Sequence, residues 1–434
     1  MWIALIIFII VYVAVASEKF PRHWVALLGG CLLMAFGVMT PTDVVNAINW
    51  ETLGLLAGMF VLVSILTESG FFHWLAMAAV RKVKYRPAPL FVVLILMATF
   101  LSMFMDSITV MLFLAALTVQ LCHLLRFDPV PLVIAEVCAA NTGGSATLVG
   151  DPPNVILGTT LGFSFSDFAT HTGPIAIISA LVILLFFYLS NRKQLKASKQ
   201  WLTDYTIMEI EFNNRRELDP RLTKVGLISF LCAVLLLIFH LPLSHLLGIP
   251  LNAAIAAMIP ATIAIFLLSD NHKKAVILKL DGESILFFCG LFILIGGLEK
   301  VHLFEGLARE FAKLANYNPN LLVMTLNWGS GLLSGVVDNV PLALAMSYVL
   351  KDLAAIPGMP ALSLMVWSLA LGVDIGGSMT PIGASANVVA YSYLEHRLEP
   401  VGWKKWLKLA VPATLMAMVV ASALILLKSL TGWY

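Results

Sequence analysis

The chain has 434 residues, 60% of them hydrophobic and 12% charged, with a formal net charge of +2 and a mean hydropathy of +0.93. Soluble domains carry roughly 25% charged residues, so this composition excludes a soluble enzyme or binding module and predicts an all-α integral membrane protein. No nucleic-acid partner is expected; the lipid bilayer is the first partner.

In chain order, apolar runs at 1–16, 91–105, 174–189, 225–239 and 409–427 approach or reach the roughly 17–25 residues of a spanning helix. None alternates with period two, which argues against a β-barrel. The first run ends in "AVA", similar to a signal cleavage site. No positive residue precedes it, however, and Lys19 and Arg22 follow, which suits a retained helix. The five cysteines (Cys31, Cys122, Cys138, Cys232, Cys289) lie in apolar segments without CxxC or zinc spacing. They read as buried small hydrophobes rather than a disulfide framework.

The chain repeats itself. Residues 51–76 align without a gap to 283–308, an offset of 232, the distance from Glu51 to Glu283. The same offset carries Asp106 of "FMDSITVML" onto Asp338 of "VVDNVPLAL". One further residue of offset lays "NTGGSATLVGDPPN" (141–154) on "DIGGSMTPIGASAN" (374–387). Such internal symmetry is typical of secondary transporters. It divides the chain into a first repeat at 1–190, a polar linker at 191–224 and a second repeat at 225–434.

Lys and Arg accumulate on the cytoplasmic side of membrane proteins. With the segments around Asp106 and Asp338 read as re-entrant hairpins, each half has five spans, about ten transmembrane helices in all. Placing the linker in the cytoplasm then puts all but five of the 27 cationic residues inside, the exceptions being Lys300, Arg309, Lys313, Lys351 and Lys428. Both termini fall outside, no Lys or Arg lies deep in the bilayer, and the odd number of spans per repeat inverts one half relative to the other.

Five acidic residues interrupt apolar segments: Asp106, Glu136, Asp151, Asp338 and Asp374. Ionisable groups at membrane depth mark ion or substrate pathways. Glu136 also reads as a hydrogen-bonded packing residue, and Asp151, followed by two prolines, as a helix N-cap. Asp106 and Asp338 are symmetry-related candidates for hairpin tips. Acidic groups without a basic counterion favour a cation, a proton or sodium, as one transported species.

The two polar blocks predict helices broken at mid-depth, because consecutive glycines and prolines interrupt backbone that lipid tolerates only beside protein or a cavity. The candidate ligands there are Asn141, Thr142, Gly143, Gly144, Ser145, Thr147, Asp151 and Asn154, with Asp374, Gly376, Gly377, Ser378, Thr380 and Asn387 in the twin. No phosphate loop, nucleophile elbow, HExxH or CxxC occurs, so neither ATP hydrolysis by that route nor another enzymatic activity is expected. No cofactor and no metal site is expected beyond the coupling ion.

"GGSATLVGDPPNVILG" and "GGSMTPIGASANVVAYS", preceded by "MDSITVMLFLAAL" and "VDNVPLALAMSYVL", resemble the ion transporter superfamily. The similarity is strongest to its branch of arsenite/antimonite efflux permeases (ArsB type) and the melanosomal P protein. The resemblance implies an elevator-type transporter whose moving domain holds two hairpins and two broken helices. Carried over residue by residue, it implies hairpin-tip ligands Asp106, Ser107 and Thr109, and Asp338 and Asn339. It also implies a small inorganic substrate, homodimers and, in some relatives, a soluble ATPase partner. Members that export arsenite move the largely neutral trivalent oxyacid in exchange for protons. Dicarboxylate carriers of the superfamily have Ser-Asn-Thr tips where this chain has "DSIT" and "DNVP", which disfavours a carboxylate cargo. The expectation is proton-coupled efflux of arsenite and antimonite across the inner membrane of a bacterial or archaeal cell. A sodium/proton antiporter is the alternative, and an organic anion carrier the third reading.

Overall fold

A computed structural model describes residues 2–17, 19–198, 217–397 and 401–433. The first half contains α1 (Trp2–Ala16), α2 (Arg22–Ala35), α3 (Pro41–Ala47), α4 (Trp50–Glu68), α5 (Phe71–Lys82), α6 (Pro87–Ser102), α7 (Ser107–Leu124), α8 (Val130–Gly144), α9 (Pro152–Leu161), α10 (Phe165–His171) and α11 (Gly173–Ser198). The second contains α12 (Pro220–Leu247), α13 (Ala253–Leu267), α14 (Asp270–Leu278), α15 (Gly282–Lys300), α16 (Leu303–Tyr317), α17 (Pro319–Ser334), α18 (Asn339–Ala354), α19 (Leu362–Gly376), α20 (Ser385–Arg397) and α21 (Gly402–Thr431). No strand occurs among the described residues.

Among the described residues, seven helices are long and apolar enough to span a bilayer, and five shorter apolar helices accompany them. Their outer faces carry apolar stripes at helical spacing, such as Ile177, Leu181 and Leu185 on α11 and Ile228, Leu231 and Leu235 on α12. In water such stripes would drive aggregation; against lipid they are the ground state. The segment read as a linker is helical at both ends, because α11 runs on through Ser198 and α12 begins at Pro220. Residues 199–216 of it lie outside the described residues.

Matching sequence produces matching contacts. Helix α4 packs on α13 and α15 packs on α2, at crossings where a glycine meets helix backbone. A Cβ on Gly58 would stand 2.8 Å from the Ala257 carbonyl carbon, and one on Gly290 2.7 Å from that of Ala26. Small residues let membrane helices approach this closely. The second helix of each hairpin crosses to the other half, α7 onto α20 and α18 onto α9. The helices α3, α5, α14 and α16 escape the hydropathy signal because they are short or amphipathic. Helix α16 buries Phe304, Ala308, Ala312 and Ala315 while Glu305, Arg309, Glu310 and Lys313 face outward. Exposed Gly306, whose Cβ position is empty, sits in its first turns. Gly306→Ala should therefore raise thermal stability, by up to about 1 kcal/mol, read as a higher Tm in detergent.

All five cysteines are free thiols. Cys122 and Cys138 are buried as expected, but Cys31 and Cys232 are exposed on α2 and α12, where a thiol serves as one more apolar group against lipid.

Candidate functional site

The hairpin α6–α7 turns at 103–106 and the hairpin α17–α18 at 335–338. Each turn is held by the broken helix of its own half. The Thr147 hydroxyl donates to the Met103 carbonyl, and Thr380 Oγ1 donates to the Gly335 carbonyl at 2.6 Å. Each break is closed by an asparagine. Asn154 Nδ2 donates to the carbonyls of Gly144 (3.0 Å) and Thr147 (3.1 Å), and Asn387 Nδ2 to those of Gly377 and Thr380, both at 2.7 Å. These carbonyls are the acceptors that breaking a helix leaves orphaned. Gly143 and Gly376 lie against the backbone of α6 and α17 respectively. Ser145 Oγ donates to the Thr142 carbonyl at 2.7 Å. Asn141 joins the two breaks, donating to Asn387 Oδ1 at 2.8 Å and Ser378 Oγ at 3.2 Å.

The aspartates divide differently from the sequence expectation. Asp106 and Asp338 cap helices: Asp106 accepts from Thr109 N (2.8 Å) and Thr109 Oγ1 (2.7 Å), and Asp338 accepts from Val340 N (3.0 Å). Asp151, which read as a cap, makes no capping hydrogen bond with its side chain. Its Oδ1 accepts from Ser107 Oγ at 3.1 Å and its Oδ2 from Asn339 Nδ2 at 2.9 Å. Ser107 and Asn339 occupy matching positions at the two tips, so the hairpins converge on one buried carboxylate. The capping reading of Asp151 is thus corrected: the two prolines after it have no N–H for its carboxylate to accept, which frees the side chain for the tips.

Around this carboxylate lies a cavity of about 30 Å³ lined by Asp106, Ser107, Asp151 and Asn339 from the hairpins and first break, and by Arg22, Asp281, Ser284 and Ser385. Arg22 donates from Nη1 to Ser385 Oγ (3.0 Å) and from Nη2 to Ser284 Oγ (3.1 Å), and its guanidinium stands 5.0 Å from the Phe287 ring centroid. A second cavity, of about 320 Å³, places Arg22 with Asp338, Tyr12, Ser385 and several apolar side chains. The expectation of a site without a basic counterion is therefore overturned. In sequence Arg22 reads as a loop cation, but it is the first residue of α2 and turns toward α15 and α20.

Behind the pocket, Asp374 is fully buried facing Asp151 and Asn154, and neither of its oxygens has a hydrogen-bond partner. Glu136 stays apart, its Oε1 accepting from Thr118 Oγ1 at 2.5 Å on α7. Arg22, Asp281 and Ser284 are missed in sequence because each lies at a helix start, where polar residues are ordinary, and Tyr12 because it sits inside the apolar run of α1. The one available signal is Arg22 as the first residue of an apolar helix.

Residues 12–372 match the family model described as "Citrate transporter". The 46 kDa membrane protein of Mycobacterium leprae is 31% identical over 99% of both chains. The human P protein is 31% identical over 98% of this chain and 59% of its own length. In fold, the chain is similar to the YdaH transporter of Alcanivorax borkumensis, with a TM-score of 0.59 at 15% identity over 91% of this chain and 88% of that one. It is likewise similar to MtrF of Neisseria gonorrhoeae, described among antimetabolite efflux pumps, with a TM-score of 0.59 at 13% identity over 97% and 93%. With the family model covering most of its length, the chain belongs to the citrate transporter family and is a multi-pass membrane transporter.

Proposed function

We propose that the protein is a proton-coupled secondary transporter that exports a small neutral oxyacid of the arsenite/antimonite class. One observation carries the reading: Asp151 gathers donors from the tips of both hairpins, beside a small pocket that also holds Asp106 and Asp281. A neutral trihydroxy acid offers O–H donors to such carboxylates, whereas a multiply charged anion would be repelled by them. Protonation of Asp151 removes one negative charge from the pocket and makes one of its oxygens a donor. That changes both the tip contacts and the affinity for cargo, as exchange requires. In this reading the chain lies in an inner membrane, with 191–224 in the cytoplasm and both ends outside, and works as a homodimer. The hairpins and breaks move against α2 and α15.

A second reading, transport of an organic anion such as a carboxylate, is favoured by Arg22 in the larger cavity. Everted vesicles carrying the protein should accumulate arsenite when a proton gradient is imposed, and no accumulation would overturn the first reading. Citrate-dependent proton flux that disappears in Arg22→Gln selects the second. Sodium-dependent proton release with no response to either cargo selects a sodium/proton antiporter.

A further inference from the structure

One side chain spans the mouth of the pocket at Asp151. The inner wall is almost sealed, with Ser107 and Asp151 3% exposed and Asn339 4%, while Arg22 and Ser385 are partly buried and Asp281 at the rim is exposed. Arg22 reaches between two serines, Ser284 in the first turn of α15 and Ser385, the first residue of α20. Each serine takes an N–H from the guanidinium and passes its own proton to an aspartate, Ser284 to Asp281 Oδ2 at 2.5 Å and Ser385 to Asp338 Oδ2 at 3.5 Å. A bidentate arginine–carboxylate pair holds harder than hydroxyls do, so this hold is one that can be released. Arg22, Ser385 and Ile108 line both this pocket and the cavity of about 320 Å³, and so form the partition between the two. The larger cavity opens outward, since Phe20 and Val336 on its wall are exposed. The first half lacks such a residue: the contact of Gly58 with Ala257 matches that of Gly290 with Ala26, which sets Ala253 where the second crossing has Arg22.

We infer that Arg22 is the lid of the carboxylate pocket: it seals Asp151 from the larger cavity while it holds Ser385, and admits solvent and cargo when that contact parts. The contact with Ser385 is the one that parts. Ser284 stands on α15, against which α2 packs, so Arg22 and Ser284 stay together. Ser385 follows the second break and is tied through Asp338 to the tip of the second hairpin. The same tip is gripped by α1, where the Tyr12 hydroxyl accepts from the Asp338 N–H at 3.2 Å. The Phe287 ring, 5.0 Å from the guanidinium, keeps the cation over the pocket when Ser385 leaves. A single hydrogen bond between α2 and α20 thus decides whether Asp151 is covered. The lid regulates the site proposed above and rests on the reading of the Asp151 pocket as the transport site, whatever its cargo.

Cysteine reactivity in the purified full chain measures the lid without any cargo. The thiol of Ser107→Cys lies inside the pocket and that of Val388→Cys in the larger cavity. Each is treated with the small neutral reagent methyl methanethiosulfonate, and mass spectrometry of its own peptide separates it from the five native cysteines. Adding Arg22→Ala should raise the rate at Ser107→Cys roughly 10-fold or more, the scale on which a hydrogen bond to a charged group shifts an equilibrium. The rate at Val388→Cys should not change. Losing a nearby cation disfavours the thiolate and by itself slows the reaction, so a faster rate reports access. Ser385→Ala keeps the arginine and frees one end of it; it should raise the rate at Ser107→Cys by a smaller factor, and it carries the test where Arg22→Ala does not yield folded protein. Equal rates at Ser107→Cys with and without Arg22, or a parallel rise at Val388→Cys, overturn the lid. So does a Ser385→Ala protein whose rate at Ser107→Cys is not raised. Vesicles that fail to accumulate arsenite leave these rates as they are, so the cargo and the lid fall separately.

Discussion

Replacing Asp151 by asparagine is expected to leave a folded protein that has lost proton-coupled transport. The substitution is unusually clean at this position. Asn339 Nδ2 needs an acceptor, which the new amide oxygen supplies, while the new N–H₂ faces Ser107, whose hydroxyl turns from donor to acceptor. Both contacts survive and only the charge and the titration disappear. Transport should fall roughly 100-fold or more, the scale on which a positioned proton carrier acts, with Tm close to wild type. Asp106→Asn should cause the smaller loss, because asparagine caps a helix about as well as aspartate and Thr109 keeps its acceptor. Asp106→Ala should lower stability by about 1 kcal/mol. Proton-gradient-driven uptake in vesicles and thermal unfolding of the same preparations measure the pair. Full coupled transport by Asp151→Asn would remove Asp151 from the coupling site.

What the sequence makes legible here is whatever repeats or interrupts. The polar blocks at 141–154 and 374–387 stand out against hydrocarbon and align with each other, so the broken helices and hairpins can be read from the chain alone. The partition of roles among the aspartates cannot. Asp106, Asp151 and Asp338 each precede a helix and carry the same local signature of an N-cap. Asp151 is recruited elsewhere by Ser107, 44 residues away, and Asn339, 188 away. Arg22 is hidden for the same reason, its hydroxyl partners being 262 and 363 residues distant. Long-range pairing decides function in this fold, while the local pattern decides only where backbone breaks. The difference between Asn154 and Asn387 is the exception. Their identical roles are visible as an alignment of the two halves, and the mismatch of Asn141 with Asp374 beside them writes the asymmetry into the chain itself.

Gly376→Ala is expected to be the most damaging single methyl in the protein. Helices α17 and α19 meet backbone to backbone there, and a Cβ on Gly376 would stand 2.3 Å from both Cα and the carbonyl oxygen of Gly331. No side chain can rotate away, so the helices must separate and carry the Thr380–Gly335 tie with them. The equivalent contact in the first half is Gly143, whose Cβ would lie 2.4 Å from the Thr99 carbonyl oxygen. Gly150 and Gly383 form a second matched pair, with Cβ positions 2.3 and 2.4 Å from the carbonyl oxygens of Gly144 and Gly377. Overpacking a well-packed interior costs about 1–3 kcal/mol where side chains absorb it, and backbone contacts lie at or beyond the upper end. Each of the four alanine variants should therefore lower Tm and shift the detergent-solubilised protein toward aggregate on size exclusion, while Gly306→Ala does neither. Because tips and breaks are tied together, these variants should also lose transport in proportion to the folded fraction. A Gly376→Ala protein with wild-type Tm and transport would mean that α17 and α19 do not touch as described, and the placement of Asn339 on Asp151 would fall with that contact.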